Sequence, residues 1–294
     1  MKKRGVPPLF CALERRNLMY HCSMVLIVLF IFVMGMIWGS FLNVVIFRVS
    51  HGSSPLSGRS MCPKCKHQLA WFYNIPLFSF LWLRGRCAYC HKKISIRYPL
   101  IEVLTGVMFV WWFLVGFNFF KLVGSPWSFI QPVFWLTVGM VMLAIFMTDL
   151  LYMVIPFSLN LLLFSLALFY RVGLTGFGIM QVTDFVQALL SGLGLCLLFL
   201  IIQMLTKMIK KVDGFGMGDI YLAPALGLLL GWPKIVPGVF FSFVLGAVVG
   251  MTLIVFGKKK LGQYLPFGPF LIAGTVIALV WGGSVWSWYM GLLV

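Results

Sequence analysis

The sequence predicts an all-α integral membrane protein with about eight transmembrane helices and one small cysteine-bearing insert outside the membrane. Hydrophobic residues make up 62% of the 294 residues, charged residues make up 10%, and the mean hydropathy is +1.03. Soluble domains carry about 25% charged residues. The composition therefore excludes an ordinary soluble protein and a disordered chain, and it indicates that lipid covers much of the apolar surface.

The distribution of charge separates a membrane protein from a nucleic-acid-binding one. The chain has 23 Lys or Arg residues and 6 Asp or Glu residues, which gives a net charge of +17. The cations lie in short segments between long uncharged runs, as in loops on a negatively charged membrane face. Nucleic-acid binding would need a basic face on a soluble fold, so we expect the lipid bilayer, and no nucleic acid, as a partner.

The first elements are a tail and a membrane helix. Residues 1–23 are basic and poorly patterned, and we interpret them as an N-terminal tail. Residues 24–47 form a long uncharged run without a small-residue cleavage motif after it. This run predicts a retained first transmembrane helix and not a signal peptide.

Residues 48–98 form the insert, and residues 99–294 form a seven-helix membrane core. The insert holds nine of the 23 cations and no acid. Seven further apolar runs follow it, near residues 99–120, 131–149, 151–170, 184–206, 219–232, 235–257 and 265–293. The run 219–232 is short and marked by Gly and Pro, which is typical of membrane segments that face protein or water.

The positive-inside bias predicts the orientation. With residues 48–98 in the cytoplasm, fifteen cations fall on the cytoplasmic side and eight on the other. The basic tail opposes this orientation, because its five cations would have to cross the membrane. Translation from Met19 or Met24 would remove that conflict.

Four of the seven cysteines form two CxxC pairs, Cys62 with Cys65 and Cys87 with Cys90, separated by 21 residues. Two such knuckles can present four thiolates tetrahedrally, so they predict a structural Zn²⁺ site. Disulfides and free thiols are the alternatives. A closed four-thiolate site has no open position, so we assign it to folding and not to chemistry.

Two acids stand out at the membrane face. Asp149 ends the third apolar run and Asp219 starts the sixth, so the topology places both carboxylates on the side of the insert. Ionisable groups in membrane segments are usually functional. Two carboxylates in a low-dielectric cleft can hold one water and share one proton, the arrangement of aspartic peptide hydrolysis. Gly216 and Gly218 would let a substrate backbone approach Asp219.

A structural role for these acids remains an alternative. They can cap helices, or pair with the nearby lysines Lys207, Lys210 and Lys211. Glu102, just inside the second run, lies close in sequence to Arg97 and can form an ion pair with it. Its alternative role is in methyl transfer or in binding a free amine.

Several ordered motifs resemble the type IV prepilin peptidases, which are bifunctional leader peptidase/N-methyltransferases. GMGD at 216–219 is a GxGD motif, as in intramembrane-type aspartic proteases. The other matching stretches are GSFLNVVI at 39–46, CPKC at 62–65, NIP at 74–76, LRG at 83–85, CAYC at 87–90, RYPLIE at 97–102 and PFGPF at 266–270. The resemblance covers roughly residues 35–290.

The resemblance implies the activity, cofactors and partners. Asp149 and Asp219 match the family's catalytic aspartates, and the four paired cysteines match its zinc ligands. Members cleave type IV prepilins or type II secretion pseudopilins after a glycine, at the cytoplasmic face of the bacterial inner membrane. Many then methylate the new N-terminus with S-adenosylmethionine. The core 99–294 would then be the peptidase core.

Three positions depart from the family's pattern. Tyr221 replaces the usual Lys after the second aspartate, Phe157 replaces the Asp of a Pro-Asp pair, and Tyr73 replaces a frequent acid. Both carboxylates are retained, so these changes bear on substrate preference and on the charge around Asp219. The competing hypotheses are a membrane methyltransferase without peptidase activity, a zinc-ribbon membrane scaffold and a proton-coupled transporter. A transporter would be expected to show internal repeats.

Overall fold

Helices form nearly all of the regular structure in the described residues, which confirms the all-α class. The computed structural model describes residues 8–55, 58–116, 127–210, 216–258 and 263–292. Its helices are α1 (Pro8–Ser50), α2 (Phe78–Trp82), α3 (Arg97–Trp111), α4 (Trp127–Tyr152), α5 (Phe157–Gly176), α6 (Val182–Lys210), α7 (Met217–Leu230), α8 (Ile235–Val255) and α9 (Gly268–Gly291).

Seven helical segments within these ranges are long and apolar enough to cross a membrane, and an eighth is shorter. The seven are Ser23–Ser50, Arg97–Gly116, Ile130–Tyr152, Phe157–Gly176, Val182–Ile209, Ile235–Val255 and Gly268–Gly291. The shorter helix, α7, has 14 residues and so is about 21 Å long, less than the roughly 30 Å of a hydrocarbon core. Most of its side chains are buried in protein, as its short, Gly-marked and Pro-marked sequence predicts.

The first helix begins earlier than the sequence suggests. It starts at Pro8, inside the segment 1–23 that we interpreted as a tail. Residues 8–22 contain three Leu, one Ala, one Glu and two Arg, all of which are favourable in helices.

The boundary between the third and fourth spans also differs from the prediction. The sequence placed it at residue 150, but α4 continues to Tyr152 and α5 begins at Phe157. Met153 has a left-handed φ of 54°, and Pro156 precedes α5 in an extended conformation, so the turn forms at 153–156. At the other end, α5 continues past Arg171 to Gly176, because that cation is hydrogen-bonded inside the protein.

The described chain forms two compact units that differ from the predicted domains. Unit 1 contains residues 8–44 and 58–116, so α3 groups with α1 and the insert and not with the core. Small residues permit this packing. A side chain at Gly35 would lie 2.8 Å from the Gly106 backbone, and one at Gly39 would lie 2.7 Å from Glu102 Cα.

Unit 2 contains residues 45–55, 127–210, 216–258 and 263–292, including α4 to α9. Helix α7 packs against α6 where Gly192 and Gly227 meet backbone to backbone. Gly194, by contrast, faces open space. Helices α8 and α9 pack at Gly238 and Gly274. This packing positions the start of α7 and the start of α9 beside the end of α4.

Candidate active site and candidate metal centre

Asp149 lies in the last turn of α4, where an apolar stretch reaches the end of the helix. Its side chain is buried, with 5% of its surface exposed. The backbone N–H of Gly268, at the start of α9, donates a hydrogen bond of 3.0 Å to Asp149 Oδ2. An N–H at a helix N-terminus favours a negatively charged partner. This donor therefore fixes the orientation of the Asp149 carboxylate.

Asp219 lies in the first turn of α7, after the glycines of the GMGD motif. Gly216 is the N-cap of this helix and is extended, and the Asp219 N–H donates to the Gly216 carbonyl oxygen at 3.1 Å. The side chain is buried, with 6% exposure. Its Oδ1 atom has no hydrogen-bond partner among the described residues, so this oxygen is available to hold a water or a proton.

The structure brings these two acids together, although 70 positions separate them in sequence. Their carboxyl groups are close enough for the charge of Asp149 to act on Asp219, and both are buried. Such a pair is chemically suited to share one proton and to activate one water.

The turn between α4 and α5 packs against the starts of α7 and α9, beside the two acids. A side chain at Gly218 would lie 2.9 Å from Ile155 Cβ, and one at Gly268 would lie 3.1 Å from Ile155 Cδ1. Ile155 therefore fills the space between the two glycines. Position 218 has no room for a side chain, because Ile155 occupies that space. Gly216 is exposed, and a side chain there would lie 3.3 Å from Asp219 Oδ2.

Helix capping and a role in the pair are compatible at Asp219. The Gly216 N–H hydrogen-bonds to the Asp219 carboxylate, as a capping acid at the third helical position does, while Asp219 Oδ1 has no partner in the described part of the chain. Lys211 lies outside the described residues. The sequence reasoning did not identify Gly268 and Ile155 as parts of the site, although the PFGPF motif contains Gly268.

Glu102 belongs to unit 1 and has different neighbours from those predicted. It is buried, its Oε2 atom accepts the Leu77 N–H at 2.8 Å, and the Ser40 hydroxyl also bonds to it. Arg97 is exposed and does not pair with it. Glu102 therefore ties the insert to α1 and α3, and Asn43 adds a bond of 3.0 Å from its Nδ2 to the Tyr98 carbonyl oxygen.

The four paired cysteines converge at one point in the insert. All four Sγ atoms lie within 4.8 Å of one another, with Cys62 and Cys90 at 3.9 Å. A tetrahedral zinc with Zn–S distances of 2.3 Å needs about 3.8 Å between sulfurs. The four cysteines are free thiols and not disulfides, so they can hold a metal ion such as Zn²⁺.

The two knuckles have matching backbones. In the first, Lys66 is left-handed and its N–H donates to the Cys62 carbonyl oxygen at 2.8 Å. In the second, His91 is left-handed and its N–H donates to the Cys87 carbonyl oxygen at 3.0 Å.

Burial alone would raise the pKa of Cys62, but hydrogen bonds from the Cys65 and Lys64 backbone lower it to about 7. This favours the thiolate, the form that binds metal.

Comparison with known proteins agrees with this arrangement. Residues 33–115 match the model of the bacterial peptidase A24 N-terminal domain, and residues 135–251 match the type IV leader peptidase family. No solved structure matches.

Curated relatives cover most of the chain. It is 33% identical to a prepilin leader peptidase/N-methyltransferase of Aeromonas salmonicida over 293 residues, which is 90% of this chain and 94% of that protein. It is also 33% identical to one of Neisseria gonorrhoeae, with 88% and 93% covered, and 34% identical to one of Legionella pneumophila, with 79% and 76% covered. The resemblance seen in the motifs is thereby confirmed: the chain belongs to the type IV leader peptidase family.

Proposed function

We propose that this protein is an aspartic endopeptidase that removes the leader peptide from type IV prepilins or type II secretion pseudopilins. The observation that carries the proposal is the buried carboxylate pair, Asp149 with Asp219. One carboxylate is oriented by the Gly268 N–H, and the other keeps an unbonded oxygen within the described part of the chain. Similarity to relatives named for this activity supports it.

The proposed mechanism uses one water and one shared proton. We assign the base to Asp149, because an N–H donor favours the ionised carboxylate, and the proton to Asp219. Asp149 takes a proton from the water while the oxygen of that water attacks the scissile carbonyl carbon, and Asp219 protonates the carbonyl oxygen. When the C–N bond breaks, Asp149 returns its proton to the leaving nitrogen, and Asp219 regains one from the intermediate hydroxyl.

The proposed substrate contacts lie at both sides of this pair. Exposed Gly216 leaves room for an extended substrate backbone beside Asp219. At Gly218 the space is limited by the side chain of Ile155. The charge distribution favours the cytoplasmic side of the bacterial inner membrane for the residues 48–98 and for this site.

A second activity, N-methylation of the cleaved product with S-adenosylmethionine, is proposed from the same relatives. Buried Glu102 is the candidate group for binding the free amine, because a carboxylate suits an ammonium ion. Glu102→Gln retains an acceptor for the Leu77 N–H, so we expect cleavage without methylation. Unchanged methylation would leave Glu102 with a structural role alone.

Zn²⁺ is the proposed occupant of the four-cysteine cluster, where it would stabilise the insert and take no part in hydrolysis. The approach of all four sulfur atoms to within 4.8 Å of one another supports this proposal. Measuring the metal content of the purified chain tests this proposal directly, and we expect one zinc ion per chain.

The peptidase is tested by incubating the purified protein with a prepilin, with and without S-adenosylmethionine, and weighing the products. Asp149→Asn and Asp219→Asn should each fold normally and abolish leader removal. Asp184→Asn is the matched control, because Asp184 is an acid in the first turn of α6, away from the pair. Full cleavage by either of the first two variants would refute the dyad. Methylation of a pre-cleaved pilin without cleavage of the precursor would select the methyltransferase alternative.

A further inference from the structure

Six large apolar side chains between residues 71 and 82 of the insert are exposed. The four most exposed of them make up the aromatic face, which we define as Trp71, Phe78, Leu81 and Trp82, with exposures of 76%, 55%, 64% and 74%. The rings of Phe78 and Trp82 stack at 5.8 Å. Isolated exposed apolar residues are normal, but a cluster of large ones marks a surface that binds something.

Contacts within unit 1 place this stretch beside the membrane helices. The Leu77 N–H bonds to Glu102, five positions inside α3, which is about 8 Å from the start of the helix. The Ser40 hydroxyl approaches the Asn74 carbonyl oxygen at 3.5 Å, ten positions before the end of α1, or about 15 Å along it. The stretch therefore lies near the boundary between headgroups and hydrocarbon.

The charge beside the aromatic face has one sign. Arg84 and Arg86 are both exposed, and residues 48–98 contain no acid. Aromatic rings at the headgroup level, flanked by cations, are the combination that binds the surface of a membrane with anionic lipids.

We propose that the aromatic face inserts into the adjacent leaflet of the membrane, and that Arg84 and Arg86 bind the phosphates of its anionic phospholipids. The insert would then lie against the bilayer and not project freely from it. This inference goes beyond the proposed peptidase activity and does not depend on the carboxylate pair.

Photocrosslinking of the full chain in lipid vesicles tests this inference. The variant Trp82→p-benzoyl-Phe carries the probe on the aromatic face, and Lys92→p-benzoyl-Phe carries it on an exposed control position. In vesicles of phosphatidylglycerol and phosphatidylcholine, we expect several-fold more phospholipid adduct at position 82 than at position 92. Thermal unfolding in detergent checks that both variants fold as the unaltered chain does.

The contribution of charge is measured separately. Adding Arg84→Gln and Arg86→Gln to the position-82 probe, or using phosphatidylcholine alone, should lower the adduct yield. Equal yields would overturn the binding of anionic lipid. Adducts at position 82 to a second copy, or within the same chain, in place of lipid would overturn the proposal as a whole. Because the experiment measures a lipid adduct, its result does not depend on whether the protein cleaves a leader peptide.

Discussion

At the scale of single residues, the proposed active site contains a backbone N–H group as well as its two acids. The Gly268 N–H reaches Asp149 at 3.0 Å, and a side chain at position 268 would lie 2.6 Å from the same carboxylate oxygen. Contacts below 3.0 Å force a shift of one group, so glycine is the residue that lets the helix start approach the carboxylate. The Gly268 N–H can therefore orient Asp149 only because residue 268 has no side chain.

We expect Gly268→Ala to lower the rate of leader removal by about 100-fold, because a displacement of roughly 1 Å at a reacting group has an effect of that size. The initial rate with a purified prepilin measures this. Gly194→Ala is the control, since Gly194 faces open space, and it should retain the normal rate. A fully active Gly268→Ala would show that this hydrogen bond does not position Asp149.

At the scale of elements, α7 is a short helix whose two ends have separate polar partners. Its first turn carries Asp219, and its last turn receives Arg171 from α5. Arg171 donates from Nε to the Leu228 carbonyl oxygen at 2.7 Å and from Nη2 to that of Leu229 at 3.2 Å. The final carbonyl groups of a helix lack partners within it and carry negative partial charge. Arg171 therefore stabilises the end of a helix too short to cross the membrane.

We expect Arg171→Met to lower the free energy of unfolding by about 1.5–3 kcal/mol, the usual contribution of hydrogen bonds to a charged group. Denaturant unfolding in detergent measures this loss, and Arg171→Lys should recover part of it. Lys234→Met removes a cation that makes neither of these hydrogen bonds, and it should have little effect. An equal loss in both Met variants would assign the effect to net charge.

Arg171 also shows why a helix boundary was missed. Hydropathy ended the fourth apolar run at residue 170, because a charge in a membrane segment is costly. The helix continues because carbonyl groups of α7, 57 and 58 positions later in sequence, accept the charged hydrogen bonds. A partner so distant in sequence does not appear in any local average of hydropathy.

At the scale of the whole molecule, the order of the described spans predicts which helix ends lie on the same side of the membrane. The end of α4 and the start of α7 belong to one side, whereas the end of α5 and the start of α6 belong to the other. The excess of cations favours the cytoplasm for the side with the insert.

We therefore expect opposite labelling at Ser53→Cys and Thr183→Cys, both of which replace exposed residues. In intact cells, a membrane-impermeant maleimide should label position 183, and it should label position 53 only after permeabilisation. The background chain has Cys11, Cys22 and Cys196 replaced by Ser, and the labelling of its four paired cysteines, measured without an added cysteine, is subtracted. The reverse pattern would invert the orientation and place the carboxylate pair on the outer side.

The sequence by itself determined the membrane class, the set of apolar segments and the four-cysteine cluster. These follow from composition and from short spacings, which are local properties of the chain. The tertiary structure decided which groups meet. Gly268 bonds to Asp149 across 119 positions, Glu102 bonds to Leu77 and not to Arg97, and α3 packs with the insert. Such pairings depend on how helices approach one another, and that approach is set by glycine contacts and buried hydrogen bonds between distant parts of the chain.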